Sequence, residues 1–597
     1  MINKLEEHSF HIPVLGIGYS IDTPAKVAQL GISSVISLVD DMLMEKMREF
    51  YCDKFEKPFQ AITNKIDDFR AKRITAYLDL MDEMVQDKVN ELKSSFLKKS
   101  FELEKYIDVL PDSSLVKSKF KQFIAENKHD EACEFVCNNM PVGSIDVNIM
   151  TKLDKDNYIG DEKLPVEYND AHAALRGFAM SKVKSSVVLS AGMNPRLFSY
   201  FEQFDAFLPN AEGDLDKKII LKVSDYRSAL VQGKMLAKKG LWVSEYRIES
   251  GLNCGGHAFA SQGFLMGPVL EEFKNNRQEL IDATHELMVQ ALEGKNKVVP
   301  QKPLQMKITA QGGVGNSEEH DFLIKEYNLD SVGWGTPFLL VPEASSIDAE
   351  TVGLLSKAKE EDLYLSNVSP LGIPINNLRT NTKDIERAKF IKEGKPGTPC
   401  VKYYGAINKE FTDKVICTSS RQYQKMKLEE LDQKGLDGEA YKKEFNKIVD
   451  KSCICVGLGT ATLKANNLDT HSEGNGVSVC PGPNVAYFNN SFSLKQMVDH
   501  IYGRTNLIEG VDRPHVFVKE LKLYVDFLKN KLDESIQPLA GKELNYLKNF
   551  QKNVDEGIQY YKGKFSGIKM KCDDFKNKMS DELDNLHQKL KNIELKA

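Results

Sequence analysis

The chain has 597 residues, too many for one compact core, so more than one structural unit is expected. Its 80 Lys and Arg stand against 86 Asp and Glu, and the formal net charge of -6 offers no basic field for nucleic acid or for an anionic membrane surface. No run approaches the roughly 18 uninterrupted apolar residues of a membrane span, the start at Met1 to Glu7 leads into no long apolar stretch of the signal-peptide kind, and ten cysteines are too sparse for a disulfide scaffold. A soluble, cytoplasmic protein with reduced thiols and a small-molecule substrate is expected.

In chain order, eight short apolar or β-branched runs precede residue 340: His11 to Gly16, Ser34 to Val39, Ile145 to Met150, Ser186 to Ala191, Lys218 to Val223, Leu241 to Ile248, Gln305 to Ala310 and Leu329 to Gly333. Helical stretches separate them, the alternation of a parallel sheet covered by helices, and eight is the number that closes an α/β barrel. The expected fold is therefore a (β/α)8 TIM barrel over residues 1–40 and 140–380. Between the second and third runs, residues 41–139 read as a helical insertion, with Met42, Met44, Met47, Phe50, Tyr51 and Phe55 recurring at helical intervals as core residues. Gly267-Pro268 opens a long helix between the sixth and seventh runs. Asp362 to Arg379 is strand-like and then loop-rich, placed to lie over the barrel mouth; residues 381–510 form a mixed, cysteine-bearing region; residues 511–597 are Lys/Glu/Leu/Phe-rich with helical periodicity and are expected to pack or to support a homo-oligomer.

Two glycine clusters stand at the ends of successive strands: Gln311-Gly312-Gly313 after the seventh run and Gly333-Trp334-Gly335-Thr336 after the eighth. Glycines there let bare backbone N–H groups approach an anion, the helix beginning near Asn316-Ser317 adds its dipole, and in an α/β barrel these two loops commonly hold a phosphate. After the sixth run, Gly255-Gly256-His257 puts an imidazole on the same rim, behind backbone that can pass close to a planar ligand.

Gly255-Gly256-His257, Gln311-Gly312-Gly313 and Gly333-Trp334-Gly335-Thr336-Pro337-Phe338 resemble the three signature stretches of the nitronate monooxygenase group of FMN-binding barrels. Those enzymes carry Ala-Gly-Gly-His, Ala-Gly-Gly-Ile and Gly-Thr-Arg-Phe after the sixth, seventh and eighth strands. The start is similar too, with Thr23-Pro24 opening a helix after the first strand and Val147-Asn148-Ile149 on the third, so the likeness covers about residues 10–345 without the insertion. It implies FMN, with Gly312, Gly313, Gly335 and Thr336 on its phosphate, Asn148 at the ring edge, Gly255 and Gly256 beside the ring or ribityl chain, and Gly16, Gln311, Gly333 and Trp334 completing the lining. His257 matches the catalytic histidine that takes a proton next to the nitro group. Departures are Asn253-Cys254 before the Gly-Gly-His, Gln311 where the family has alanine, and the bulky Trp334, which imply a different substrate pocket. Lys222, near the end of the fifth strand, looks more like the strand lysine of dihydroorotate dehydrogenases and glutamate synthases, where it would bind the cofactor and support the reduced ring.

Cys417, Cys453, Cys455 and Cys480, with Cys400 nearby, are four thiols that could hold zinc or an iron–sulfur cluster, Cys453 and Cys455 sharing one face if they lie on a strand. The reading that follows is an FMN-dependent oxidoreductase with His257 and Lys222 as its catalytic pair. Enoyl-thioester reduction, a synthase-type half-reaction, a phosphosugar enzyme without flavin, and a non-catalytic barrel scaffold remain as alternatives.

Overall fold

The computed structural model describes residues 8–97, 101–190, 192–253, 262–534, 541–567 and 573–595. Eight parallel strands are central: β1 (Phe10–His11), β2 (Ser34–Ser37), β3 (Ile145–Ile149), β4 (Ser186–Leu189), β5 (Lys218–Val223), β6 (Val243–Glu249), β7 (Lys307–Gln311) and β8 (Ser331–Gly333). From β2 onward each pairs with the next, and β8 pairs with β1. A parallel bridge from Ile12 to Ser34 joins β1 to β2 and closes the circle, making this a (β/α)8 barrel. The eight sequence-derived runs match these strands to within a few residues, except that the first is cut to Phe10–His11 because the chain turns at once into the β1 loop.

Alternation along the strands separates two environments. Ile36, Val147, Val187, Leu189, Ile219, Leu221, Tyr246, Ile248, Ile308 and Val332 belong to the main hydrophobic core shared with the helices. The other set is almost fully buried and mostly polar, with His11, Asp146, Asn148, Lys222, Glu245, Arg247, Glu249, Thr309 and Gln311 beside a small apolar cluster of Val14, Val35, Val188 and Ile220. Such a polar centre is held by internal bonds: Glu245 accepts from Arg247 Nε at 2.7 Å and from Thr309 Oγ1 at 2.6 Å. Burial opposes ionisation of Glu245, but the Arg247 charge prevails and holds its carboxyl down at about 2.

The segment between β2 and β3 is helical, as its periodicity predicts. Its longest helix, α1 (Phe69–Leu97), packs on α2 (Asp170–Met180), and the approach is close enough that a Cβ on Gly177 would meet Ala71 O and Ile74 Cβ at 2.8 Å. The long helix after β6 is α3 (Met266–Gly294), and α4 (Ser317–Tyr327) lies between β7 and β8. Beyond the barrel, β9 (Leu363–Ser366) and β10 (Ile375–Leu378) form an antiparallel hairpin. The helix α5 (Ile454–Ala465) follows, then α6 (Val516–Glu534), α7 (Gly541–Gly567) and α8 (Asp573–Lys591).

These last helices dock on the barrel of the same chain. Phe517 of α6 stacks on Tyr561 of α7 at 4.8 Å, Phe322 of α4 meets Phe517 and Phe565 at 6.2 Å, and Tyr561 Oη accepts from Gly267 N at 3.1 Å. None of the described helices is long and apolar enough to cross a membrane.

Candidate active site

Strand polarity sends the ends of β5, β6, β7 and β8 to one mouth of the barrel. At that mouth Glu249 Oε1 accepts three bonds: from Lys222 Nζ at 3.0 Å, Asn253 Nδ2 at 2.7 Å and Gln311 Nε2 at 2.6 Å. Lys222 and Gln311 thus sit together as their strand positions predict. Glu249, the hub between them, escaped sequence reasoning because its strand was ended at Ile248; extending the alternation Glu245, Arg247, Glu249 by one step would have found it. Lys222 makes no other bond to the described residues, so two ammonium hydrogens remain available, and the buried Gln311 Oε1 has no partner.

The loops after β7 and β8 supply the donors that the glycine clusters predict. The N–H groups of Gly312, Gly313, Val314, Gly335 and Thr336 make no hydrogen bond to the described residues, and all five residues except half-buried Gly335 are buried. Gly312 and Gly313 have φ of 111° and 88°, which glycine adopts without strain. Buried, unpaired N–H groups cost about 1–3 kcal/mol each, and several at the ends of two adjacent strands form a donor set suited to an anion. The residues therefore fit a phosphate monoester such as that of FMN.

The region after the barrel closes over these loops. Asn484 Nδ2 donates to Gly313 O and to Val314 O at 2.5 and 2.8 Å. Arg513 donates to Gly313 O at 2.7 Å and to both oxygens of Glu319 at 2.6 and 2.9 Å. Glu319, in the first turn of α4, also accepts from Gly315 N at 3.0 Å and Val516 N at 2.7 Å. Burial pushes the Glu319 carboxyl up, yet Arg513 holds it below the ordinary carboxylate value. A Cβ on Gly482 would lie 2.3 Å from Thr336 Oγ1, so glycine there leaves the threonine hydroxyl its room.

Other assigned residues do different jobs. Gly333 leaves space for Gln311 and His11, whose atoms a Cβ would meet at 2.7 and 3.0 Å. Trp334 faces away from the barrel centre: its indole N–H donates to His320 Nδ1 at 3.1 Å, because one residue past Gly333 the alternation points outward. Its bulk therefore does not shape the mouth. Asn148 is inside the barrel but spends its amide N–H on Val188 O at 3.1 Å. Gly16 is the point where the β1 loop presses on Tyr19, 2.9 Å from a would-be Cβ. Gly255, Gly256, His257 and Cys254 lie outside the described residues.

Beside the mouth is an open cleft of about 410 Å³. Leu252 of the β6 loop, the β9–β10 hairpin, the Pro481–Pro483 turn and α6 line it, with Leu365, Leu523 and Phe527 on its apolar side and Arg379, Lys519 and Lys522 among its charges. Asn376 ties the hairpin to the β6 loop by donating to Asn253 O at 3.1 Å, so the segment expected over the mouth does lie there. Nearby, Glu520 of α6 is fully buried, accepts from Met266 N at 2.9 Å, and has a second oxygen without a partner. Burial pushes its carboxyl up to about 7, the range of a group that exchanges protons at neutral pH. A lone Glu in a charged helical stretch gives no sequence signal of this.

The expected metal set does not assemble. Among the described residues no group of three or more His, Cys, Asp or Glu is placed to hold a metal ion. Cys453 caps α5 and Cys455 lies in its first turn, so the strand on which they were to share a face is a helix. Cys417 is a free thiol hydrogen-bonded with the free Cys400 thiol and lies 3.1 Å from Ser419 Oγ, whereas Cys480 packs with Val368, Ile375 and Ile454.

No family model matches the sequence, and no curated protein matches it. Solved structures that align with it include the enoyl reductase domain of MlnA from the macrolactin cluster of Bacillus amyloliquefaciens, at 14% identity over 70% of this chain and 89% of that one, TM-score 0.33. FabK from Thermotoga maritima aligns at 12% identity over 89% and 98%, TM-score 0.35, and nitroalkane oxidase from Streptomyces ansochromogenes at 10% over 84% and 97%, TM-score 0.33. Likenesses this distant support no inference about chemistry here.

Proposed function

We propose that this chain is an FMN-dependent oxidoreductase acting on a small organic substrate at the C-terminal mouth of its barrel, in the manner of the nitronate monooxygenases whose motifs it resembles. The observation that carries the reading is the group of unpaired N–H donors at Gly312, Gly313, Val314, Gly335 and Thr336, which suits the phosphate of the cofactor. FMN, when bound, supplies two-electron chemistry.

This chain's own residues supply the rest. The backbone N–H groups fix the phosphate, and Lys222 holds a positive charge in a buried mouth where charge acts strongly. Glu249 orients Lys222 and Gln311 together, leaving Gln311 Oε1 to accept a bond. His257 is the residue to which the resemblance assigns proton removal from substrate carbon. The cleft beside Leu252 is the route by which substrate reaches the barrel mouth.

The test is uptake of added FMN, followed by quenching of its fluorescence and by near-ultraviolet and blue absorbance of the desalted protein. One flavin per chain is expected, with inorganic phosphate competing. Gly313→Val places side-chain carbon where Leu252 Cδ1 is 2.6 Å from the Cβ position, and it should lose flavin; His257→Ala should keep flavin and lose turnover. A folded protein that takes up no flavin sinks the proposal, and phosphate binding without flavin uptake points instead to a phosphosugar-type enzyme using the same loops. Oxygen consumption with nitroalkanes is the expected activity; oxidation of a nicotinamide donor with enoyl thioesters would shift the reaction to reduction.

A further inference from the structure

Cys453 and Cys455 stand at the N-terminal end of the 12-residue helix α5, with their sulfurs 3.8 Å apart. They are 2% and 8% exposed and pack with Ile17, Val39, Leu153 and Tyr404. Ile17, Val39 and Leu153 follow β1, β2 and β3, so the pair rests on the mouth side of the barrel, over its first three strands. Three features favour a thiolate at Cys453. The amide dipole of α5 points its positive end there. Its sulfur shares a hydrogen bond with the Cys455 thiol, and the buried ammonium groups of Lys383 and Lys402 lie near, facing Glu386 and Asp40 respectively. Against its burial, these neighbours draw the Cys453 thiol down to about 7, the Cys455 hydrogen bond contributing most. Cys455 is pushed the other way, first by that same hydrogen bond. Such an asymmetric pair has an attacking and a resolving member.

We propose that Cys453 and Cys455 form a peroxide-sensitive dithiol, with Cys453 as the oxidised thiolate and Cys455 as the resolving thiol. Cys453 sulfur attacks one oxygen of hydrogen peroxide; the O–O bond breaks, Cys453 becomes a sulfenic acid, and the released hydroxide takes the proton that Cys453 had lost. Cys455 sulfur then displaces the sulfenic hydroxyl, its proton leaving with that hydroxyl as water. The sum is two thiols and one peroxide giving one disulfide and two waters. Closing the bond brings the sulfurs from 3.8 Å to about 2.05 Å. That draws on the first turn of α5, and one residue past that turn Leu458 O accepts from Gly18 N of the β1 loop at 3.1 Å, a contact through which the oxidised state can reach the barrel mouth. At 2% and 8% exposure the pair disfavours the approach of a bulky disulfide far more than that of hydrogen peroxide, which makes the reaction selective.

Trypsin releases both thiols on one peptide, Ser452 to Lys464. After brief exposure of the full-length protein to hydrogen peroxide, then alkylation, that peptide is expected unalkylated and lighter by two hydrogens, and dithiothreitol should restore it. Glutathione disulfide should leave it unchanged. Cys455→Ser should accumulate a dimedone-reactive sulfenic acid at Cys453, and Cys453→Ser should lose both products; a thermal melt like that of the unmodified protein shows that each variant is folded. Recovery of the doubly alkylated peptide after peroxide treatment overturns the proposal, as does stoichiometric zinc or iron in the purified protein that blocks alkylation until it is chelated.

Discussion

Replacing Arg513 with alanine tests whether the cover over the phosphate loops is held by one buried charge pair. Arg513 and Glu319 side chains are 4% and 2% exposed, and the guanidinium gives two bonds to that carboxylate, one to Gly313 O and one to Asn484 Oδ1. Removing one partner of such a pair costs about 3–5 kcal/mol, because the remaining charge is buried without compensation. Glu319 keeps its bonds from Gly315 N and Val516 N, so the lower end, about 3 kcal/mol, is expected. The sign with pH is distinctive. In the native chain the Glu319 pKa is depressed, so its contribution is present above the unfolded carboxylate pKa and lost as pH falls through the folded value. In Arg513→Ala burial outweighs the two N–H groups and the neighbouring His515, the folded pKa rises, and the variant's deficit should shrink between pH 7 and pH 5. Urea unfolding read by Trp334 fluorescence in a Trp242→Phe background isolates the site, since the chain has two tryptophans. A deficit below about 1 kcal/mol at pH 7, or one that does not change with pH, would refute the reasoning. The charge-free pair Glu319→Gln with Arg513→Met should recover part of the loss.

Three histidines, His8, His320 and His515, are driven by burial to about 4. Because the folded pKa lies below the unfolded 6.5, their neutral forms destabilise nothing above pH 6.5, and each opposes folding by up to about 3 kcal/mol as pH falls toward 4. The melting temperature should drop steeply below pH 6.5, and the slope should weaken in His320→Gln; a flat profile from pH 7 to 5 would contradict this. Glu520→Gln, which copies the protonated acid, should cost less than about 1 kcal/mol at pH 7 and gain relative to the native chain as pH rises, because a raised carboxyl pKa loses stability above its unfolded value. A large loss at pH 8 would mean the group is charged and paired. Gly482→Ala, at an ordinary φ of -67°, adds a methyl that would sit 2.3 Å from Thr336 Oγ1 and 2.6 Å from Leu252 O. It should weaken inorganic phosphate and FMN binding at least about tenfold, in isothermal titration, and unchanged affinity would remove Thr336 from the site.

What was legible in the sequence is what alternation and glycine encode locally. The barrel strands could be read because their outward positions are apolar and short breaks separate them, and the tight turn after β7 because Gly312 and Gly313 take φ values that few other residues take. Lys222 was found at its strand end, but Glu249, which gives that lysine its partner, lay one residue beyond the assigned strand. Trp334 was misplaced by the same margin: at a period of two, one step past Gly333 exchanges the barrel centre for the α4 side, where His320 receives the indole. The cover was illegible for a different reason. Asn484, Arg513 and Glu520 reach the mouth from 171, 200 and 254 residues along the chain from Gly313, Gly313 and Met266, and no local periodicity encodes such approaches. These late residues leave the donors of the β7 and β8 loops unpaired while supplying the bonds around them. In this fold the barrel provides the backbone donors proposed to hold the anion, and the C-terminal third supplies the side chains that pack over them.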